Sequence, residues 1–173
     1  NEWTQKGSTL FGDDGQTTDW FGNYVKLSED GTTLFVASPA YSDTYTNQGK
    51  LYIYTFNSSN NEWDNFNSLV GTYENNYIDI FDISKDGTVL AVSSRNQNEV
   101  KIYDIDYNQN SVNLRSTLTG TTNFGHRISL SGNGNNILIT NDSADIYVYT
   151  YDSDNNNWNQ KGSTINNNFN QIQ

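Results

Sequence analysis

A chain of 173 residues with twenty acidic and nine basic side chains carries a net charge of −11, which argues against nucleic acid phosphates and anionic lipid as partners, since both would be repelled. Cysteine is absent, so disulfide staples and thiol chemistry play no part, and the length suffices to bury one core without them. No window reaches the roughly 18 consecutive apolar residues of a membrane span. Abundant Tyr, Thr, Val and Ile among many Asn, Asp, Gly and Ser indicate an all-β protein with frequent tight turns.

The first expected element is the strand Trp3-Thr4-Gln5-Lys6-Gly7-Ser8-Thr9, which recurs near the other end as Trp158 to Thr164 with Asn159 in the place of Thr4. After a loop at 11–20 comes "FGNYVKLSEDGTTLFVAS" from Phe21, where Val25, Leu27, Leu34 and Val36 alternate with other residues at the strand period of two. Between them "SEDG" reads as a hairpin turn in which Gly31 supplies a positive φ. "KLYIY" to Tyr54 and "EWDNFNSLVG" at 62–71 read as two further strands.

The same order then returns twice. "YIDIFDISKDGTVLAVSS" from Tyr77 is followed by "VKIY" to Tyr103 and a weaker "VNLRSTLTG" at 112–120. "FGHRISLSGNGNNILITN" from Phe124 is followed by "IYVY" to Tyr149 and "NWNQKGSTI" at 157–165. No stretch sustains an apolar period of 3.6, so essentially no helix is expected.

These patterns predict a single all-β domain over 1–173, a β-propeller segment of three four-stranded antiparallel blades with one extra outer strand, and repeats at about 11–70, 71–119 and 120–165. The N-terminal strand is expected to complete a preceding blade, and "FNQIQ" at 169–173 to begin another, so the chain reads as an excerpt of a longer array. A β-trefoil also uses twelve strands in three repeats, but would need neither the additional strand nor the unequal spacing of the turn glycines Gly31, Gly87 and Gly134.

Phe21-Gly22, Asp30-Gly31, Ala37-Ser38-Pro39, Gly49 and the Trp-x-Gln-x-Gly segments together resemble the FG-GAP repeats of integrin-α-like β-propellers. The second repeat departs from that pattern with Tyr77-Ile78, and the second and third lack the Gly-Ala-Pro equivalent. The resemblance implies radially packed blades and calcium in Asp-x-Asp-x-Asp-Gly loops. That spacing is missing: Asp104, Asp106, Asn108 and Asp152, Asp154, Asn156 match only Asp-x-Asp-x-Asn, with Arg115 and Ser163 where a twelfth-position Glu would close a calcium loop. Asx turns account for both, and no metal or cofactor is expected.

In such a meander the connections from second to third strand, and from fourth strand to the next repeat, emerge on one face. They are long in the first repeat, at 11–20 and 39–48, and short in the others. The long ones carry Asp13, Asp14, Asp19, Trp20, Tyr41, Asp43 and Tyr45, aromatics beside carboxylates that could stack on a sugar or anchor a protein. The alternative is that Trp20 packs under its own loop while the aspartates cap turns.

His126 is the one histidine and reads as structural; no nucleophile elbow, phosphate loop, zinc spacing or converging carboxylate pair accompanies it. The expectation is a non-enzymatic, extracellular or cell- or virion-surface module that binds a protein or glycan through one loop-bearing face, with no nucleic acid and no membrane insertion. The alternative is a structural component of a virion or extracellular filament, assembled by strand pairing with neighbouring subunits or with further blades of the same chain. The sequons at Asn57 and Asn141 are compatible with an extracellular setting.

Overall fold

The computed structural model describes residues 2–13, 17–76, 78 and 80–166. Twelve strands form three antiparallel sheets, each a meander in chain order. The first holds β1 (Tyr24–Leu27), β2 (Thr33–Ser38), β3 (Lys50–Asn57) and β4 (Glu62–Val70). The second holds β5 (Phe81–Ile83), β6 (Val89–Ser94), β7 (Glu99–Asp106) and β8 (Ser111–Thr119). The third holds β9 (Arg127–Leu130), β10 (Asn136–Thr140), β11 (Ile146–Asp152) and β12 (Asn157–Gln160). Among the described residues the only helical pieces are two 3-10 turns, Thr17–Asp19 and Arg95–Gln97. Three self-contained four-stranded meanders make a partial β-propeller and exclude a trefoil.

The β1–β2, β5–β6 and β9–β10 hairpins share one side-chain clamp. Ser28 Oγ donates to Asp30, Ser84 Oγ to Asp86 and Ser131 Oγ to Asn133, at 2.7, 2.6 and 2.7 Å. Each serine oxygen in turn accepts the amide five residues on, from Thr33, Val89 and Asn136, at 2.9 Å. The chain can double back this tightly because Gly31, Gly87 and Gly134 adopt φ of 67, 71 and 70°. The bonds from Ser28 and Thr32 hold the Asp30 carboxyl below the usual range. Partial burial pushes Asp86 the other way, and the bonds from Ser84 and Thr88 outweigh it.

By contact density the chain forms two compact units, Asn1–Asp79 with Asp106–Val112, and Ile80–Ile105 with Asn113–Gln173. In the first, register pairs Val25 with Val36 and Val36 with Tyr52. Val36, Tyr52 and Tyr54 make a core face covered by Leu10, Phe21, Leu34 and Trp63. Phe21 meets Tyr52 edge-on at 5.2 Å, and Phe56 meets Trp63 likewise at 5.2 Å.

The N-terminal segment differs from expectation, because no strand is assigned within residues 2–10. It is fixed by single contacts to β4 and the β1–β2 turn. Ser8 donates from N and Oγ to Glu62 at 3.0 and 2.7 Å, Trp63 Nε1 donates to Lys6 O at 2.9 Å, and Lys6 Nζ donates to Gly31 O at 2.7 Å. Trp3 is fully exposed and shares no sheet with Trp158, which stands in β12 opposite Tyr151. The expected onset of another strand at 169–173 lies outside the described residues, as does Tyr77.

In the second unit two sheets bury a common core. Val89, Ala91, Val100 and Ile102 from one pack with Phe124, Leu130, Ile137, Ile139 and Trp158 of the other. The Val, Ile, Leu and Phe side chains contribute about 1.5–3 kcal/mol each on full burial, and the methyl of Ala91 less. Polar links tie the same sheets, for Leu130 N donates to Asp82 Oδ2 at 2.8 Å and Ser93 Oγ to Gly125 O at 2.7 Å. Arg115 on β8 pairs with Asp104 and lays its guanidinium over the Tyr151 ring at 4.6 Å.

Candidate functional site

On the first blade the loop candidates separate into two places. Asp13 pairs with Lys50, whose Nζ lies 4.9 Å from the Tyr41 ring and 4.6 Å from that of Tyr52. Asp14 lies outside the described residues. Asp19 closes a 3-10 turn, and its carbonyl accepts from Ser38 Oγ at 2.8 Å and from Ala40 N at 3.2 Å. Asp43 and Tyr45 are exposed on the 39–48 loop, with Tyr45 N donating to Gln48 Oε1 at 2.7 Å.

Trp20 stands apart. Its backbone has φ of 58° and its side chain is 57% exposed, so it does not pack under its own loop. With Phe21, Gly22 and Asn23 it lines an open cleft of about 480 Å³, and none of the other candidates among the described residues contributes to that lining.

The third blade holds a site that the sequence reading treated as structural. Register pairs Thr140 of β10 with Arg127 of β9, so His126, one residue earlier, faces the short β10–β11 connection that begins at Asn141. His126 N donates to Thr140 O at 2.9 Å, which seats the imidazole at the mouth of a cavity. That cavity measures about 310 Å³ and is lined by His126, Thr140, Asn141, Asp142, Ala144 and Ile146.

Inside it His126 Nδ1 lies 2.7 Å from Asp142 Oδ1, and the two side chains are 37% and 41% exposed. The contact is one of charge, and this buried nitrogen has no hydrogen-bond partner among the described residues. Asp142 is held on its other side, where Oδ2 accepts from Asn123 Nδ2 at 2.5 Å and the amide donates to Thr122 O at 3.0 Å. Asn141 is 3% exposed, with its amide turned to Asp145 Oδ2 at 3.2 Å. Its burial closes that sequon to a glycan in the folded chain. The arrangement, an imidazole beside a fixed carboxylate in a part-apolar hollow, suits proton transfer to and from a small bound molecule.

Metal chemistry has no comparable support. Among the described residues no three His, Cys, Asp or Glu side chains converge. Asp104 is occupied by Arg115, and Asp106 and Asp152 accept backbone amides of their own turns, so the Asp-x-Asp-x-Asn segments do not fit calcium.

Three sequential four-stranded antiparallel meanders define the class: this is a segment of a β-propeller. The family described as Lactonase, 7-bladed beta-propeller, matches residues 71–168, more than half of the chain, and the chain belongs to that family.

Among solved structures the chain is similar to a putative 6-phosphogluconolactonase from Bacteroides fragilis, at 14% identity and a TM-score of 0.62 over 83% of this chain and 38% of that one. It is also similar to the periplasmic gluconolactonase PpgL of Pseudomonas aeruginosa, at 13% identity and 0.60 over 83% of this chain and 39% of that one. Sqt1 of Saccharomyces cerevisiae matches at 8% identity and 0.61, over 86% of this chain and 36% of that one. At such identities the likeness shows the fold alone, and the chain spans well under half the length of each. No curated protein matches it.

Family membership corrects three expectations: the FG-GAP resemblance, the non-enzymatic adhesion module, and the structural part of a virion or filament. The motifs behind them serve blade geometry in general. Asp30 and Gly31 make the turn clamp, Ser38 anchors the preceding loop, and Gly49 is required because an added Cβ would stand 2.3 Å from Ile78 N. None of these residues reports on what a propeller binds.

Proposed function

We propose that the chain is part of a lactonase, which opens a cyclic ester with water to give a hydroxy acid, and that the His126 cavity takes part in the reaction. The family match over 71–168 carries this reading, and the segment it covers includes the whole cavity. Fold likeness alone would not select it, since Sqt1 is as similar as the gluconolactonases.

In this reading the lactone carbonyl sits above Thr140 and Ile146. With Nδ1 turned to Asp142, the imidazole uses Nε2 to take a proton from water as the water oxygen adds to the carbonyl carbon. The Asp142 carboxylate stabilises the imidazolium that forms, and Asn123 keeps that carboxylate in place. Collapse of the tetrahedral adduct breaks the ring C–O bond, and the imidazolium returns the proton to the departing alkoxide. Sugar-acid lactones are the proposed substrates, by analogy with the names of the two bacterial neighbours. The net charge of −11 favours neutral rings over phosphorylated ones.

The test is acid release from D-glucono-δ-lactone in a pH-stat, with and without the intact protein. Acceleration that saturates with substrate is expected. A rate equal to spontaneous hydrolysis, across five- and six-membered lactones alike, would end the reading.

A further inference from the structure

Aligning the repeats at Phe21 and Phe124 places Trp20 where the third blade has Asn123. Both residues take nearly the same left-handed φ, 58° at Trp20 and 56° at Asn123. Asn tolerates this left-handed conformation, whereas a bulky aromatic residue adopts it only under strain. The first blade therefore holds Trp where its own fold favours Asn, and the residue stays more than half exposed, at 57%. Strain kept without compensating packing marks a residue held for contact with something else.

The surroundings define what that contact is. Beside the indole, the cleft of about 480 Å³ is walled by Phe21, Gly22 and Asn23. Gly22 adds open room, since a Cβ built there meets nothing within 4 Å, and Asn23 brings an amide that both donates and accepts. An apolar ring face beside a bifunctional amide and bare backbone matches a hydroxylated ring, with C–H groups against the indole and hydroxyls toward the amide. Among the described residues no charged side chain lines the cleft, and the net charge of −11 opposes an anion.

We propose that Trp20 is the stacking platform of a binding subsite for a neutral, polyhydroxylated six-membered ring. This subsite stands independently of the lactonase reading, because it is tested by binding without turnover.

The probe is methyl β-D-glucopyranoside, titrated into the intact protein while the Trp20 indole N–H resonance is followed by NMR and assigned with Trp20→Phe. A saturable shift of that resonance, absent from the indoles of Trp3, Trp63 and Trp158, is expected. Trp20→Asn should abolish sugar-induced shifts at Asn23 while raising Tm by roughly 2–4 °C through relief of strain. Three results would overturn the proposal: no saturable shift, an equal response to choline that marks a cation site, or a Trp20 shift that follows protein concentration and marks a protein contact. Should Trp20→Asn fail to fold, the titration of the unaltered protein still decides.

Discussion

The first and third blades put the same two left-handed positions, Trp20 and Gly22 against Asn123 and Gly125, to different ends. At aligned positions the first has Trp20, Gly22 and Asn23, and the third has Asn123, Gly125 and His126. One set lines an open cleft with an exposed indole, and the other holds a histidine against an aspartate in a smaller hollow. Each blade supplies left-handed residues at the same two positions, and the side chains placed around them decide the chemistry. The histidine hollow sits on the short loops, so loop length alone does not point to it.

The sharpest way to break this comparison is at the paired glycines, both at positive φ. At Gly125 an added Cβ would stand 2.4 Å from Ser93 Oγ, whereas at Gly22 it meets open space. Gly125→Ala is expected to cost about 2–4 kcal/mol, from left-handed strain plus overpacking, and Gly22→Ala only about 1–2 kcal/mol from strain alone. Urea melts of the two variants check this, and equal losses would show that the second-unit packing is not tight at Gly125.

A smaller effect is expected from moving the aromatic across. Asn123→Trp puts a strained residue at φ of 56° and removes the amide that holds Asp142, for a cost of about 1–3 kcal/mol. Thermal melts that leave this variant unchanged would remove the argument from strain.

The smallest effect lies in acid. The folded-state pKa values of Asp30 and Asp86 are depressed, so their clamps contribute above the ordinary aspartate value of about 4, and the contribution is lost as pH falls through the depressed values. Asn133 cannot titrate, so the third clamp should persist. Hydrogen exchange corrected for intrinsic rates should show the amides of Thr33 and Val89 losing protection relative to Asn136 between about pH 6 and pH 2.5. A constant ratio would contradict the clamp assignment.

The sequence was most legible where structure is local. Period-two alternation and Ser-x-Asp-Gly turns located the strands because each hairpin closes within a few residues. The two Trp-x-Gln-Lys-Gly-Ser-Thr segments show the limit. Both place Gly at positive φ, 75° at Gly7 and 78° at Gly162, and in both the Gln amide reaches the Thr hydroxyl, at 3.4 Å from Gln5 and 3.1 Å from Gln160. Only the second forms a strand, because Tyr149 to Asp152 stand beside it. Identical letters encode the same loop, but a strand needs a neighbour.

The histidine site escaped for a related reason. His126 and Asp142 are sixteen positions apart, and only the pairing of Arg127 with Thr140 brings them together. Nothing in the local pattern around either residue marks the contact. A register drawn from the β9–β10 hairpin and carried two residues past its end sets His126 opposite Asn141 and diagonal to Asp142, which would have found it.

The account rests most on His126 as the base. Its direct test is kcat/KM for D-glucono-δ-lactone in the intact protein and in His126→Asn, with circular dichroism to confirm an unchanged fold. A loss of about 10²–10⁴-fold, carried mainly by kcat, is expected. A variant that folds and hydrolyses the lactone as fast as the unaltered protein would contradict it.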